Sequence, residues 1–256
     1  MSIMQLKNKV VVITGSSSGI GQNTAIAFAK EGSKLVVNYK TNKNGAEETL
    51  RQIKKTGSQG LIFQGDVSDE NTVKRLFKKT LEVFKKVDIL INNAGWPTPG
   101  YLEETNKNHW LANFNDNFFT TVLCSKEAVT IMKKQGGGKI INTASIMGID
   151  YGGREGVIAY SAAKAAVINF TKTLAKQVAP TILVNAVAPG RTQTPYYDQF
   201  DKKTIKYFID ANPIGRMINP EEITEAFLFI AKNDALVGSV VTVDGGYMLK
   251  FGKSFK

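Results

Sequence analysis

The sequence predicts an α/β protein with one parallel β-sheet covered by helices on both faces. Short runs rich in valine and isoleucine alternate along the chain with amphipathic helical patterns, and this alternation is typical of parallel sheets. A second observation agrees with it: clusters of glycine or polar residues follow the strands, at 14–21, 38–40, 66–67, 92–95, 145 and 189–194. Because parallel strands end at one edge of their sheet, these clusters are expected to meet there and bind a ligand.

The composition is that of a single folded domain. The 256 residues are 43% hydrophobic, which is enough to bury one full core. No repeat or linker divides them, so we expect one domain over residues 1–256. The single cysteine, Cys124, lies in an apolar run, which favours a packed helix position and excludes an internal disulfide. His109 is the only histidine, so no metal site is expected.

The chain enters a strand by residue 9, and no apolar run approaches the ~20 residues that a membrane span needs. We therefore expect a cytoplasmic protein without a membrane partner. The formal net charge of +11 has two interpretations: attraction to an acidic partner such as nucleic acid or a phosphorylated cofactor, or a lysine-rich solvated surface. The lysines are scattered along the predicted helices, which favours the solvated surface, and no nucleic-acid partner is predicted.

The first strand leads into a turn that is typical of a diphosphate site. The strand at 9–13 is followed by a glycine- and serine-rich segment at 14–21 and then by a helical pattern. Glycines allow the tight turn and the close approach of the backbone, while the amides and dipole of the helix N-terminus face the anion. The alternative is an ordinary glycine-rich turn. The candidate cofactor residues here are Gly15, Ser17, Ser18, Gly19, Ile20 and Gly21.

The end of the second strand bears on the choice of cofactor. An NAD site of this kind has an acidic residue there that accepts hydrogen bonds from the ribose hydroxyls, but this sequence has Asn38, Tyr39 and Lys40. A carboxylate would repel the 2′-phosphate of NADP(H), whereas a lysine attracts it. We therefore expect NADP(H) to be preferred, while a Lys40 that faces solvent would leave NAD(H) possible as well.

The third and fourth strands end in further candidates. Asp66 and Val67 follow the third strand, and the Asp66 carboxylate suits a hydrogen bond from the adenine amino group or a place in the cap of the next helix. Both roles can hold together. Asn93, Ala94 and Gly95 follow the fourth strand, where small residues allow a ligand to approach closely.

The next elements carry residues suited to acid-base chemistry. Asn117 interrupts a long apolar helical segment, and a buried asparagine must have hydrogen-bond partners, so a structural cap and a water-holding role are both open. Ser145 follows the fifth strand, and Tyr160 and Lys164 are four residues apart on a helix, so they share a face. A phenol titrates near pH ~10, and an ammonium beside it is expected to lower that pKa. Alone, the Tyr-Lys spacing also fits an exposed helix pair.

The C-terminal third closes the predicted fold. A sixth strand at 182–187 leads to a segment at 188–194 that contains Pro-Gly. Residues 195–220 are aromatic and charged with weak periodicity, which suits a mobile lid more than a core element, and we expect a substrate lid at 191–219. A helix at 221–232 and a strand at 240–243 follow.

With these motifs in place, the chain resembles the short-chain dehydrogenase/reductase family across nearly its whole length. The resemblance implies a Rossmann-type, doubly wound sheet of seven parallel strands. Each motif is weak alone, but their order and spacing are specific. The matching pieces are 14–21, 66–67, 92–95, Asn117, Ser145, Tyr160 with Lys164, 185–190, 212–216 and 243–246.

The resemblance also implies roles for individual residues. Tyr160 is the proton donor and acceptor, and Ser145 orients the substrate oxygen. Lys164 lowers the tyrosine pKa and holds the nicotinamide ribose, while Asn117 anchors a water that relays protons. The cofactor residues that the resemblance adds are Pro189, Gly190, Thr192 and Thr194, of which Thr194 faces the nicotinamide amide.

Three functions are compared. The leading one is an enzyme that interconverts a carbonyl and an alcohol by hydride transfer with a nicotinamide cofactor, on a small-molecule substrate. The second is a nucleotide-sensing protein without turnover, and the third, prompted only by charge, is a nucleic-acid binder. Within the enzyme class the sequence resembles both 3-oxoacyl-carrier-protein reductases and glucose dehydrogenases, and an insertion at 150–155 separates it from either. Family members commonly pair two helices across two-fold axes, which implies a homotetramer, with a dimer as the alternative.

Overall fold

A computed structural model of the protein describes residues 4–150 and 152–249. Its centre is a sheet of seven parallel strands in the order β3-β2-β1-β4-β5-β6-β7, which confirms the predicted fold class. The strands are β1 (Val10–Ile13), β2 (Lys34–Tyr39), β3 (Gly60–Gln64), β4 (Ile89–Asn92), β5 (Gly138–Thr143), β6 (Ile182–Pro189) and β7 (Val240–Val243). Strands β1, β6 and β7 differ from the predicted ranges 9–13, 182–187 and 240–243 by at most two residues.

Helices connect the strands and cover both faces of the sheet. They are α1 (Gly19–Lys30), α2 (Lys43–Lys55), α3 (Glu70–Phe84), α4 (Lys107–Phe114), α5 (Thr120–Lys134), α6 (Ile158–Val178), α7 (Lys202–Asp210) and α8 (Pro220–Lys232). A π-helical turn, Asn115–Phe119, joins α4 to α5 without a break. No helix in the described part of the chain is both long enough and apolar enough to cross a membrane.

Strand β1 shows why the valine-rich runs form a doubly covered sheet. All four of its residues are buried. Val11 and Ile13 pack into one apolar cluster with Phe28 of α1, while Val12 belongs to the cluster on the opposite face. Successive side chains of a strand point to opposite faces, so a strand that is apolar at every position must be buried on both sides.

The strand order places a crevice at the carboxyl end of β1. Strand β1 pairs with β2 on one side and with β4 on the other, so the chain continues in opposite directions from this point. Ligands of open α/β sheets bind where the order reverses in this way. The glycine turn that follows β1 therefore lies at the expected position for a ligand site.

The segment 191–219 is more regular than its sequence suggests. A short 3-10 turn, Pro195–Gln199, precedes α7, and Phe208 of α7 is buried. The periodicity of 195–220 as a whole is weak, and the short amphipathic pattern of α7, in which Phe208 faces inward and Tyr207 is 64% exposed, was not recognised within it. The role of this segment as a substrate lid remains a prediction.

Candidate active site

A cavity of about 650 Å³ opens at the carboxyl ends of the strands, which is within the usual size range of small-molecule sites. With the exception of Asn117, every residue predicted to bind cofactor or take part in catalysis lines this cavity. They are Gly15, Ser17, Ser18, Gly19, Ile20, Gly21, Asn38, Tyr39, Lys40, Asp66, Val67, Asn93, Ala94, Gly95, Ser145, Tyr160, Lys164, Pro189, Gly190, Thr192 and Thr194.

The glycine turn after β1 is held in a shape that only glycine allows at two positions. Gly15 has φ +61°, and a Cβ there would come within 2.9 Å of the Ala94 Cα. A Cβ on Gly21 would lie 2.4 Å from the Gly15 carbonyl oxygen. Both contacts are shorter than atoms tolerate. The turn therefore needs glycine for its packing as well as for its backbone conformation.

The start of α1 faces the same cavity. Ser17, Ser18, Gly19 and Ile20 line it, and Ser18 stands at the N-cap position but makes no side-chain capping bond. The amides of the first turn of a helix have no partners within the helix, and here no capping side chain satisfies them. This is the arrangement by which helix N-termini bind the phosphates of dinucleotides.

The fourth strand supports the turn through hydrogen bonds. The Asn93 side chain donates from Nδ2 to the carbonyl oxygens of Thr14 and Gly15, at 3.1 and 3.0 Å. In return the Thr14 hydroxyl accepts from the backbone amides of Asn93 and Ala94. Asn93 and Thr14 thus hold the glycine turn against the end of β4, which fixes this wall of the cavity.

The residues at the end of β2 divide into a buried pair and an exposed lysine. The Asn38 side chain accepts from the Gly15 amide and donates to the Gly65 carbonyl, and Tyr39 packs into the apolar core. Lys40 is exposed and forms an ion pair with Asp66, with 2.6 Å between Nζ and Oδ2. Lys40 therefore points across the cavity mouth rather than away from it.

The ion pair joins the two residues that were expected to bind different parts of the cofactor. Its hydrogen bond raises the pKa of Lys40. Burial acts to raise the pKa of Asp66, but hydrogen bonds from Lys40 and Ser68 outweigh burial and lower it. The side chains are 59% and 36% exposed, so the pair contributes at most about 1 kcal/mol. Little free energy is therefore needed for an anion at this end of the cavity to draw Lys40 away from Asp66.

Asp69, not Asp66, caps α3, because its carboxylate accepts a hydrogen bond from the Thr72 amide.

Ser145, Tyr160 and Lys164 meet at the other end of the cavity. Ser145 is buried just past β5 and its hydroxyl accepts from the Met147 amide. Lys164 is buried in α6, and its ammonium donates to the Thr143 carbonyl oxygen at 2.8 Å. The Lys164 Nζ also lies 5.7 Å from the centre of the Tyr160 ring. The shared helix face predicted from the sequence is therefore present, and it turns toward the end of β5.

The pKa of Tyr160 is shifted in the direction opposite to the expected one. Burial raises it to about 12, and the hydrogen bond with Ser145 lowers it only in part. Burial also lowers the pKa of Lys164 to about 8. The lysine was expected to lower the tyrosine pKa, but its ammonium is directed at the Thr143 carbonyl. With the protein groups alone, desolvation of the phenolate is the larger effect.

Asn117 lies in the π-helical turn between α4 and α5. Its side chain is fully buried, and Nδ2 donates to the carbonyl oxygens of Trp96 and Asn113. Its Oδ1 has no hydrogen-bond partner among the described residues. A Cβ on Gly95 would meet this oxygen at 2.7 Å and the Lys164 Nζ at 3.4 Å. Gly95 thus leaves open the space between the asparagine and the lysine.

The loop after β6 completes the cavity opposite the glycine turn. Pro189, Gly190, Thr192 and Thr194 all line it. A Cβ on Gly19 would lie 3.2 Å from the Thr194 Cγ2, so this loop and the start of α1 are in near contact. A cofactor that rests on the glycine turn would therefore be enclosed from both sides.

Several groups of the site were not among the predicted site residues, although Thr14 lies within the predicted segment 14–21. Thr14 clamps the glycine turn, the Thr143 carbonyl receives the Lys164 ammonium, and Asp116 lines the cavity near Lys40. Only tertiary packing brings these groups into the site. Arg154 and Arg191 also line the cavity, although both were visible as charged residues in segments already singled out, the insertion at 150–155 and the loop after β6. Tyr151 of that insertion lies outside the described residues.

Comparisons with known proteins agree with this geometry. A family model described as short chain dehydrogenase matches residues 9–204. A 3-oxoacyl-acyl-carrier-protein reductase from Synechocystis sp. is 37% identical over 248 residues, 95% of this chain and 98% of the relative. A subunit of the hydroxy(phenyl)methylsuccinyl-CoA dehydrogenase of Thauera aromatica is 33% identical, and the match covers 97% of this chain and 100% of the relative. The crystal structure of a short-chain type dehydrogenase/reductase from Mycobacterium marinum has a TM-score of 0.89 at 30% identity, over 95% of this chain and 96% of that one.

The doubly wound parallel sheet, with a cavity at the carboxyl ends of its strands, is the architecture of Rossmann-type proteins. The family model covers more than half of the chain, and several relatives match it from end to end. The protein belongs to the short-chain dehydrogenase/reductase family. Membership of this family implies a nicotinamide cofactor and a small-molecule substrate.

Proposed function

We propose that the protein is an NADP(H)-dependent oxidoreductase that interconverts a carbonyl and an alcohol, with Tyr160 as the general acid and base. The observation that carries this proposal is that Ser145, Tyr160 and Lys164 line the same cavity as the glycine turn at 14–21. A dinucleotide whose diphosphate rests on α1 would extend toward Tyr160, because the cavity is continuous between them.

Each protein group has a distinct task in this reaction. The bound nicotinamide supplies or accepts the hydride. Ser145 holds the substrate oxygen, and the Tyr160 hydroxyl donates its proton to that oxygen as the carbonyl is reduced, or accepts a proton in the reverse direction. Burial raises the pKa of Tyr160 to about 12, so the phenol carries its proton at neutral pH but is a weak acid until a positive charge near it lowers that pKa. Lys164 and Asn117 support the transfer by holding the nicotinamide ribose and a proton-relaying water.

The preference for NADP(H) is supported by the charges at the end of β2. Lys40 lines the cavity, and no acidic residue occupies the strand end from Asn38 to Lys40. The 2′-phosphate is a dianion that suits an ammonium and is repelled by a carboxylate. Asp66 is paired with Lys40, and Asp66 and Val67 are the residues that we propose contact the adenine.

The substrate class is narrowed by the relatives. One is named for a 3-oxoacyl thioester of a carrier protein and another for a hydroxylated succinyl-CoA, so a ketone or a secondary alcohol is the reacting group that we propose here. A homotetramer in the cytoplasm is the proposed working form. The segment 191–219 is proposed to close over the substrate, since its aromatic side chains line the cavity from Tyr196 to Phe208.

A nucleotide sensor of the same fold is the second candidate. It predicts tight cofactor binding without consumption, whereas an enzyme with these groups consumes NADPH when a ketone is added. The test is to follow NADPH absorbance with a panel of neutral aliphatic and aromatic ketones, and NADP⁺ with the matching alcohols. Turnover that disappears in Tyr160→Phe supports the enzyme. Binding of NADPH with no turnover of any compound supports the sensor.

A further inference from the structure

The two ends of the cavity differ in charge. Six charged side chains line it: Lys40, Asp66, Asp116, Arg154, Lys164 and Arg191. The two acids lie at the Lys40 end, where Asp66 is paired with Lys40 and Asp116 acts on the same lysine. The end that holds Tyr160 therefore carries arginines and a lysine, and no acidic side chain of the described residues lines it.

Arg154 is the more accessible of the two arginines. It is half-buried and lines the cavity beside Met147, Val157 and Tyr160. None of the ion pairs within 4–150 and 152–249 includes it, and the masked residues contain no Asp or Glu. Its charge acts to lower the pKa of Tyr160, Tyr196 and Tyr197, which places it on the side where the substrate reacts.

Arg191 is a buried cation that has no counter-ion within residues 4–150 and 152–249. It is 3% exposed, and its guanidinium lies 4.1 Å from the centre of the Phe208 ring and 5.1 Å from that of Tyr247. Its Nε has no hydrogen-bond partner among the described residues, and it takes part in none of their ion pairs. A charge buried without a counter-ion is costly, although the hydrogen bond from Nη2 to the Tyr247 hydroxyl at 3.3 Å and the aromatic faces offset part of that cost. The unbalanced charge raises the potential of the cavity for an anion.

Aromatic rings form the rest of this wall. The Trp96 and Tyr196 rings meet edge to face at 4.9 Å, and Tyr196 continues the contact to Tyr197 at 5.1 Å. Trp96 is 54% exposed, so its ring is available to a ligand. A wall of this kind accommodates the apolar body of a substrate, and the charged side chains of the described residues that line the cavity at this end are positive.

We propose that the substrate is a carboxylic acid that also bears the reacting carbonyl or hydroxyl group, and that Arg154 binds its carboxylate. This rests on the proposed function above and names its substrate class. A guanidinium matches the planar fork of a carboxylate with two hydrogen bonds. Arg191 is held between the Phe208 and Tyr247 rings and adds a second positive charge to this end of the cavity. Phosphate esters are the competing anionic class, and a point-charge lysine would suit them as well as an arginine does.

The experiment compares oxo acids with their methyl esters. Aromatic and aliphatic 2-, 3- and 4-oxo acids, including benzoylformate and levulinate, are assayed with NADPH beside the ester of each. The wild type should show a kcat/KM at least about tenfold higher for the best acid than for its ester, as expected for a charge-assisted pair. In Arg154→Gln this acid-to-ester ratio should fall at least about tenfold, and Arg154→Lys should recover part of it. Arg75→Gln, on the surface of α3, is the matched control and should leave the ratio unchanged.

Binding measured without turnover keeps the two proposals separate. Calorimetry with Tyr160→Phe saturated with NADP⁺ should show the acid binding at least about tenfold more tightly than its ester, with this difference lost in the Tyr160→Phe, Arg154→Gln double variant. If no acid is preferred over its ester, or if the preference survives Arg154→Gln, the inference is wrong. Neutral ketones turned over in a Tyr160-dependent way would then leave the proposed function intact. A higher kcat/KM for phosphate esters than for the acids would also show that the inference of a carboxylic acid substrate is wrong.

Discussion

The Lys164 ammonium donates a 2.8 Å hydrogen bond to the Thr143 carbonyl oxygen at the end of β5. This contact ties α6 to the strand that carries Ser145 two residues later, so it fixes the spacing of Ser145 and Tyr160. It also buries a cation, and burial lowers the pKa of Lys164 to about 8. Lys164 therefore holds the site together, but the burial of its charge destabilises the folded protein by an amount that depends on pH.

The first prediction concerns that cost. Lys164 has an ordinary pKa of 10.5 and a folded pKa of about 8, so between these values the unfolded chain binds more protons and the free energy of unfolding rises with pH. Lys164→Met has no ammonium at this position, so its free energy of unfolding lacks this dependence on pH. The wild type should therefore gain stability relative to Lys164→Met as pH rises from 8 to 10, by up to about 1.4 kcal/mol per pH unit. Urea denaturation of both proteins across this range measures it.

The control is Lys172→Met, which removes a lysine from the exposed side of the same helix. Its stability should follow the wild type across the range. Tyr160 also titrates in the folded protein at higher pH, and its raised pKa lowers stability above pH 10 in all three proteins. The difference in free energy of unfolding between the wild type and each variant therefore reports the contribution of the replaced lysine alone. A constant difference between wild type and Lys164→Met would show that the lysine is not desolvated.

The second prediction tests Tyr160 as the proton donor. Tyr160→Phe keeps the ring and its packing but removes the hydroxyl, so turnover should fall by about 10²–10⁴-fold, the usual contribution of general acid catalysis. NADPH binding, followed by fluorescence, should persist. Ser145→Ala should lower kcat by a smaller factor, because it removes a hydrogen bond to the oxygen and leaves the proton donor in place. Near-native turnover in Tyr160→Phe would refute the mechanism.

Much of the fold could be predicted because it depends on local patterns. The apolar run of β1 and the glycines after it are both local signals, and the packing at Gly15 and Gly21 explains why no other residue type serves there. The candidate residues could also be placed at one edge, since the end of every parallel strand lies at that edge.

The features that escaped prediction depend on tertiary contacts. The direction of the Tyr160 pKa shift follows from how deeply α6 is buried and from where Lys164 points, and neither is visible in a four-residue spacing. Helix α7 is a different case: Ile205, Phe208 and Ile209 lie on its inward face, so a helical pattern is present, but it extends over only Lys202–Asp210 and was not recognised. Asn117 was recognised as anomalous, but the π-helical turn that turns it toward Gly95 and Lys164 has no sequence signature.

The third prediction concerns the cofactor. The wild type should have a higher kcat/KM with NADPH than with NADH, and Lys40→Ala should lower the NADPH-to-NADH ratio by about 10- to 100-fold, as expected for the loss of a charge-assisted contact. Lys43→Ala is the matched control: it removes an exposed lysine that is paired with Glu47 on α2, and the ratio should stay near its wild-type value. A wild type that prefers NADH would show that Lys40 does not select the cofactor.

The fourth prediction concerns assembly through α6. Ala165 is exposed on this helix, with half-buried Ala162 and Ala166 beside it, and small residues let two helices approach closely. Phe119 at the start of α5 is 40% exposed and contacts Phe118, which in turn packs on Phe170 of α6, so an apolar surface adjoins the alanines. A second copy of the chain that covers this surface gives a closed, two-fold contact.

We expect a homotetramer by light scattering at micromolar concentration. We expect a smaller species for Ala165→Arg, because its long charged side chain prevents the helices from meeting. Asn71→Arg, which adds the same charge to exposed α3, should remain tetrameric, and a monomeric wild type would contradict the prediction.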